Sequence, residues 1–185
     1  HVLVAGSGCG DDQDFVIRPS STESLSLSQS TYDHGLSLSP HAVASSTALG
    51  TMLASDTGLY QLNTAGITLI EESPIVGLAS YGEAFIYATG SSISIWDGFM
   101  VDSGLNDFFT DPQFTGLAVF GQDIWIATAQ SVFLHQSSAM IEFPDLSNVS
   151  HFSSFSSSNQ LVLSGSDGST YLIEHSNGDY YGQSL

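Results

Sequence analysis

The sequence predicts an all-β fold, a β-propeller of four to five four-stranded antiparallel blades, and three observations carry that expectation. Four segments align: residues 41–72, 75–104, 114–143 and 149–185 each hold the same succession of short apolar runs. A small residue follows the second run in each copy, at Ala54, Ala88, Ala127 and Ser164, at intervals of 34, 39 and 37. Periods of this size mark repeat architectures in which one unit cannot bury its faces alone. The runs are also short and are separated by Gly, Ser, Asp and Asn, the residues that turns require. Finally, no apolar pattern at i, i+3, i+4, i+7 persists through three helical turns.

Each unit divides into four strands. The first is short and rich in small residues, at 76–80 and 116–120. Such residues suit the innermost strand, where neighbouring sheets converge on an axis. The second is more apolar, at 85–88, 124–127 and 161–164. The third carries larger residues, at 59–62, 93–96, 132–134 and 171–173. The fourth is outermost and half polar, at 67–70, 99–102, 140–143 and 179–183. Between third and fourth strands, Asp97-Gly98 and Asn177-Gly178 are dipeptides that favour a type I′ turn, which needs positive φ at both central residues. Gly66 and the loop 136–139 fill the same slot elsewhere.

Pro74, Pro112 and Pro144 mark the connections between units and set blades at 41–74, 75–113, 114–148 and 149–185. The connection 105–113 is the longest. Its Phe108 and Phe109 are either a plug over the neighbouring sheet or an exposed anchor. Residues 1–40 fit less well. Segments 1–6, 14–18 and 23–28 read as second, third and fourth strands of an incomplete blade in a longer protein. The other reading is a tether: residues 2–14 resemble the end of a bacterial lipoprotein signal, which would put a lipid on Cys9. Gly6 stands where that signal has an aliphatic residue, and a loop or buried cysteine is the plain alternative.

Charge narrows the function classes. There are 19 Asp and Glu against one Lys or Arg, Arg18, for a formal charge of −18. A chain with one such cation cannot neutralise a row of phosphates, so nucleic acid is not an expected partner. Anionic membrane surfaces are disfavoured for the same reason. Protonated amines or a basic partner are the favoured company. The single cysteine excludes an internal disulfide and a cysteine-rich zinc site. No apolar run approaches the ~18 residues of a membrane-spanning helix.

The stretches 123–143, 84–98 and 51–66 resemble the propeller repeats of two-component-regulator sensors. Those repeats run, loosely, apolar-Trp-apolar-Gly-Thr, two residues, Gly-Leu, then an alternating strand and a turn. Trp125 and Thr128, Thr89, and Gly58-Leu59-Tyr60 match; Ala88 and Ala127 stand where the glycine is usual. The resemblance covers about residues 41–185. It implies an extracytoplasmic recognition module and says nothing specific of a ligand, because propellers host enzymes, sensors and scaffolds alike.

Chemical motifs are sparse. There is no Walker loop, HExxH, EF-hand or CxxC sequence. The six histidines show no i, i+2 or i, i+4 pair, so neither a metal nor a cofactor is expected. Asp56 and Asp167 recur between second and third strands. They are either turn residues or members of a carboxylate ring on one face. With Glu72, Asp107 and Gln130 they make the candidate binding residues of that loop face. No catalytic residue is assigned, and the expected function is a non-enzymatic module that binds a protein or small ligand outside the cytoplasm. Two alternatives stand beside it: a glycosidase-like enzyme using a carboxylate pair drawn from Asp56, Glu72, Asp107 and Asp167, and a structural subunit of an extracellular assembly.

Overall fold

The computed structural model describes residues 38–185 apart from residues 65, 156–158 and 177–178. The segments 1–6, 14–18 and 23–28, Arg18, Cys9 and the Asn177-Gly178 turn lie outside the described residues. The first sheet holds β1 (Ala42–Ser46), β2 (Gly50–Ser55), β3 (Gly58–Asn63) and β4 (Gly66–Glu71). The second holds β5 (Ile75–Tyr81), β6 (Ala84–Thr89), β7 (Ile93–Trp96) and β8 (Met100–Asp102). The third holds β9 (Phe114–Phe120), β10 (Asp123–Thr128), β11 (Val132–Gln136) and β12 (Ala139–Phe143). The fourth holds β13 (Val149–Phe155), β14 (Gln160–Gly165), β15 (Thr170–Ser176) and β16 (Asp179–Ser184). In each sheet the spatial order follows the chain order and every pairing is antiparallel. These are blades of a β-propeller.

The repeat landmarks occupy one position in the ladder. Ala54 pairs with Ala42 and Leu59, Ala88 with Gly77 and Ile93, Ala127 with Gly116 and Val132, and Ser164 with His151 and Thr170. Ala54, Ala88 and Ala127 are fully buried.

The first strands are innermost. β1 packs on β5, β5 on β9 and β9 on β13, and together they line an axial cavity of about 400 Å³ bordered by Ala44, Ala79, Ala118 and Phe152. Small residues are required there. A Cβ on Gly77 would sit 2.4 Å from the backbone nitrogen of Leu117, and one on Gly116 would sit 3.0 Å from the ring of Phe152.

The cores lie between blades. Met52, Ala54, Phe85 and Tyr87 fill the space between the first and second sheets. Ile86, Ile93, Leu117, Ile124 and Ile126 fill the next. Trp125, Leu134, Leu161 and Leu163 fill the third. A strand flanked by a sheet on each side must therefore be apolar on both faces. β10 is buried at four consecutive positions, Ile124 to Ala127, and β6 at five, Phe85 to Thr89. β14 instead alternates, with Leu161 and Leu163 buried and Val162 and Ser164 half-buried.

The expected type I′ turn at Asp97-Gly98 does not form. Trp96 pairs with Met100, which leaves three residues in the loop, and of these only Gly98 has positive φ, at 108°. Asp97 Oδ1 accepts the N–H of Phe99 and closes an Asx turn. Among the described residues, the two-residue turn with positive φ at both centres is Ser137-Ser138 (49° and 71°), between the paired Gln136 and Ala139. At Asp97-Gly98, hairpin register and not the favoured dipeptide decides the turn type.

Candidate functional site

The connections between blades and the loops between second and third strands meet on one face. Phe114 donates its N–H to Gly90 O, Ala129 to Gln113 O and Ser166 to Asn148 O. In each case a loop of one type is tied to a connection of the other. The opposite face is built by the remaining turns: Ser46 Oγ donates to Glu83 O and Ser80 Oγ to Ser45 O.

A hydroxyl at the end of each second strand organises the loop that follows in three of the blades. Thr128 Oγ1 accepts the N–H groups of Gln130 and Ser131, Thr89 Oγ1 those of Ser91 and Ser92, and Ser55 Oγ that of Thr57. This gives the Thr of the repeat a physical role, a side chain replacing the backbone acceptor that a tight turn lacks. In the fourth blade Asp167 Oδ1 does the same, accepting from the hydroxyl and the N–H of Ser169. Those two bonds, the hydroxyl's first, hold the Asp167 carboxyl below the ordinary carboxylate range.

The long connection 105–113 is the most built of the loops. Leu105 is buried in the core between the second and third sheets. Asn106 mimics a strand: its Oδ1 accepts the N–H of Ile93, and its Nδ2 donates to Ile93 O. A short 3₁₀ turn, Asn106–Phe108, follows. The two phenylalanines then part. Phe109 is the plug, edge-on to both Phe114 and Phe133. Phe108 is 50% exposed and lies against His135.

Between this connection and the Thr128–Ser131 loop lies a cleft of about 360 Å³. Phe108, Phe109 and Phe133 give it aromatic walls, and Asp111, Gln130 and Glu142 reach its polar side. Glu142 stands directly across the ladder from Phe133, and its Oε1 accepts from the buried Ser131 hydroxyl at 2.7 Å.

The five sequence-predicted residues are exposed but dispersed. Only Gln130 lines the cleft. Asp56 lies 3.8 Å from His41 Nε2 on its own blade. Asp107 sits on the 3₁₀ turn, Glu72 on the connection before β5, and Asp167 is engaged by its own turn. Asp111 and Glu142 were not among the expected site residues. The signal for Glu142 was the 133–142 pairing, which becomes visible only when Ser137-Ser138 is taken as the turn. Among the described residues no group of three or more His, Asp or Glu is placed to hold a metal ion.

A second cavity, about 290 Å³, opens between the third and fourth blades beside Trp125, Phe143, Leu146, Tyr171 and Tyr180. Tyr180 donates to Asp123 Oδ2, which also accepts from Gln136 Nε2. Burial, then the hydrogen bond and charge of Asp123, push the Tyr180 phenol well above its ordinary value. The Trp125 N–H lies close enough to the phenol to oppose that shift in part, yet in a geometry that makes no hydrogen bond.

No known family profile matches the sequence, and no curated protein matches it. Solved structures do share the architecture. One is a chain of the S. cerevisiae complex in which Dbp5 is bound to Nup159, Gle1, IP6 and ADP. It is 13% identical with a TM-score of 0.50, and the match covers 76% of this chain and 42% of that one. Another is YCF48 bound to D1 peptide, 13% identical with a TM-score of 0.50, covering 83% and 55%. PorZ, a surface component of the type-IX secretion system of Porphyromonas gingivalis, gives 12%, a TM-score of 0.47, and coverage of 77% and 20%. The chain thus spans from a fifth to just over half of these structures. At this identity the likeness shows the β-propeller fold alone.

Proposed function

We propose that the protein is a non-enzymatic, extracytoplasmic binding or scaffolding propeller that holds a protein partner or small ligand on its connection face. The observation that carries this reading is the cleft of about 360 Å³ between the 105–113 connection and the third blade. It is large enough for a side chain or small ligand. Its walls are set by the buried Leu105 and the half-buried Phe109, so the face is built before any partner arrives. Two propeller neighbours support the reading: Nup159 lies in a complex with Dbp5, and YCF48 is bound to D1 peptide. The resemblance to sensor-type repeats supports a place outside the cytoplasm. No Lys or Arg is among the described residues, which favours a basic partner.

Binding of basic, neutral and acidic peptides of equal length, read by fluorescence anisotropy, tests this. Basic peptides should bind, more weakly in high salt, and lose affinity in Gln130→Ala but not in the opposite-face variant Thr47→Ala. Equal binding of all three peptides, or turnover of aryl glycosides that Glu142→Gln abolishes, would overturn it.

A further inference from the structure

We infer that the cleft between the 105–113 connection and the third blade is a site for an organic ammonium group, of the kind a lysine side chain or a free alkylamine presents. The inference rests on the binding reading above and names the chemistry that the cleft selects.

Three independent features converge there. The walls are aromatic: Phe133 is half-buried, and Phe108 stands 50% exposed at the mouth. Ring faces attract cations, more strongly where water is partly excluded. The second feature is charge. Glu142 and Asp111 border the same space. Glu142 is held in place through Oε1 by Ser131, which leaves Oε2 for a ligand.

The third feature is the supply of hydrogen-bond donors. The N–H of Thr128 goes to Ser131 O, that of Ala129 to Gln113 O, and those of Gln130 and Ser131 to Thr128 Oγ1. The Thr128 and Ser131 hydroxyls are spent on Ser131 O and Glu142. The backbone donors of the 128–131 loop are therefore used internally. Around that loop the cleft presents the carboxylates of Asp111 and Glu142, beside the side-chain amides of Gln113 and Gln130 and the Thr110 hydroxyl. An anion would meet two carboxylates and a loop whose backbone donors are already used, whereas an ammonium brings donors to both. A cleft of about 360 Å³ takes such a head with several methylenes of its stem.

The test uses n-butylammonium and N-acetyl-lysine-methylamide as probes, with N-acetyl-norleucine-methylamide as the neutral comparator, titrated into the full chain and followed by amide shifts of residues 108–113 and 128–133. Both cations should shift these amides, and the comparator should not. Phe108→Ala and Glu142→Gln should each weaken the cations roughly three- to tenfold. Both positions are exposed, so the variants should fold, as an unchanged melting temperature would verify. Saturable binding that ignores both substitutions, or equal binding of the comparator, overturns the inference. If basic peptides still bind in that case, the recognition reading survives without it. If neither peptides nor amines bind, both fall.

Discussion

At the scale of single residues, Trp125 shows how one side chain ties two blades. Its ring is fully buried, stacks on Phe143 of its own sheet and meets Tyr180 of the next edge-on, with centroids 5.7 and 5.1 Å apart. Trp125→Ala should cost about 3–5 kcal/mol, read from the urea midpoint; an unchanged midpoint would place the ring outside the core. Tyr180 makes a pH-dependent contribution whose sign follows from its raised phenol. The folded state favours the neutral form, so the contribution is full below the ordinary phenol value of about 10 and is lost as pH rises through the folded value. Urea titrations above about pH 10 should therefore show the native chain losing stability faster than Tyr180→Phe. Parallel pH profiles would contradict this. The burial of Trp125 was legible in the sequence, because it lies in a continuous apolar run. Its contact with Tyr180 was not, because a strand pattern says nothing of the sheet that will lie against it.

At the scale of elements, the strands were readable and the turns were less so. Strand positions came through because the second strand of each copy is apolar and short, which only a buried strand satisfies. Turn type depends on register, and register is fixed by packing on both faces. Thus Asp97-Gly98 holds a three-residue loop, while Ser137-Ser138 carries the two left-handed centres without a glycine. Left-handed backbone is strained for serine, so the double change Ser137→Asn, Ser138→Gly should raise stability by about 1 kcal/mol. Equilibrium denaturation measures it, and a loss of stability would show that the turn is not as described. The same register places Glu142 against Phe133, which is why half of the candidate cleft escaped the sequence. The other half, Gln130 and the phenylalanines of the long connection, was visible from the loop's length and content.

For the whole molecule, the dominant quantity is a formal charge of −18. Like charges this numerous oppose compaction, and salt screens them. Raising sodium chloride from about 0.02 to about 0.5 M should raise the melting temperature by several degrees; a flat or falling trend would mean that self-repulsion is not limiting. The sequence by itself determined the repeat, the four-strand unit and the small innermost strands. These follow from composition and periodicity, which act locally and need no knowledge of neighbours. Only the tertiary structure decided which carboxylates share a cleft, which phenylalanine packs on the core and which faces outward, and which loop donors are used internally. Those outcomes depend on loops from different parts of the chain being brought side by side, and no local pattern encodes that distance.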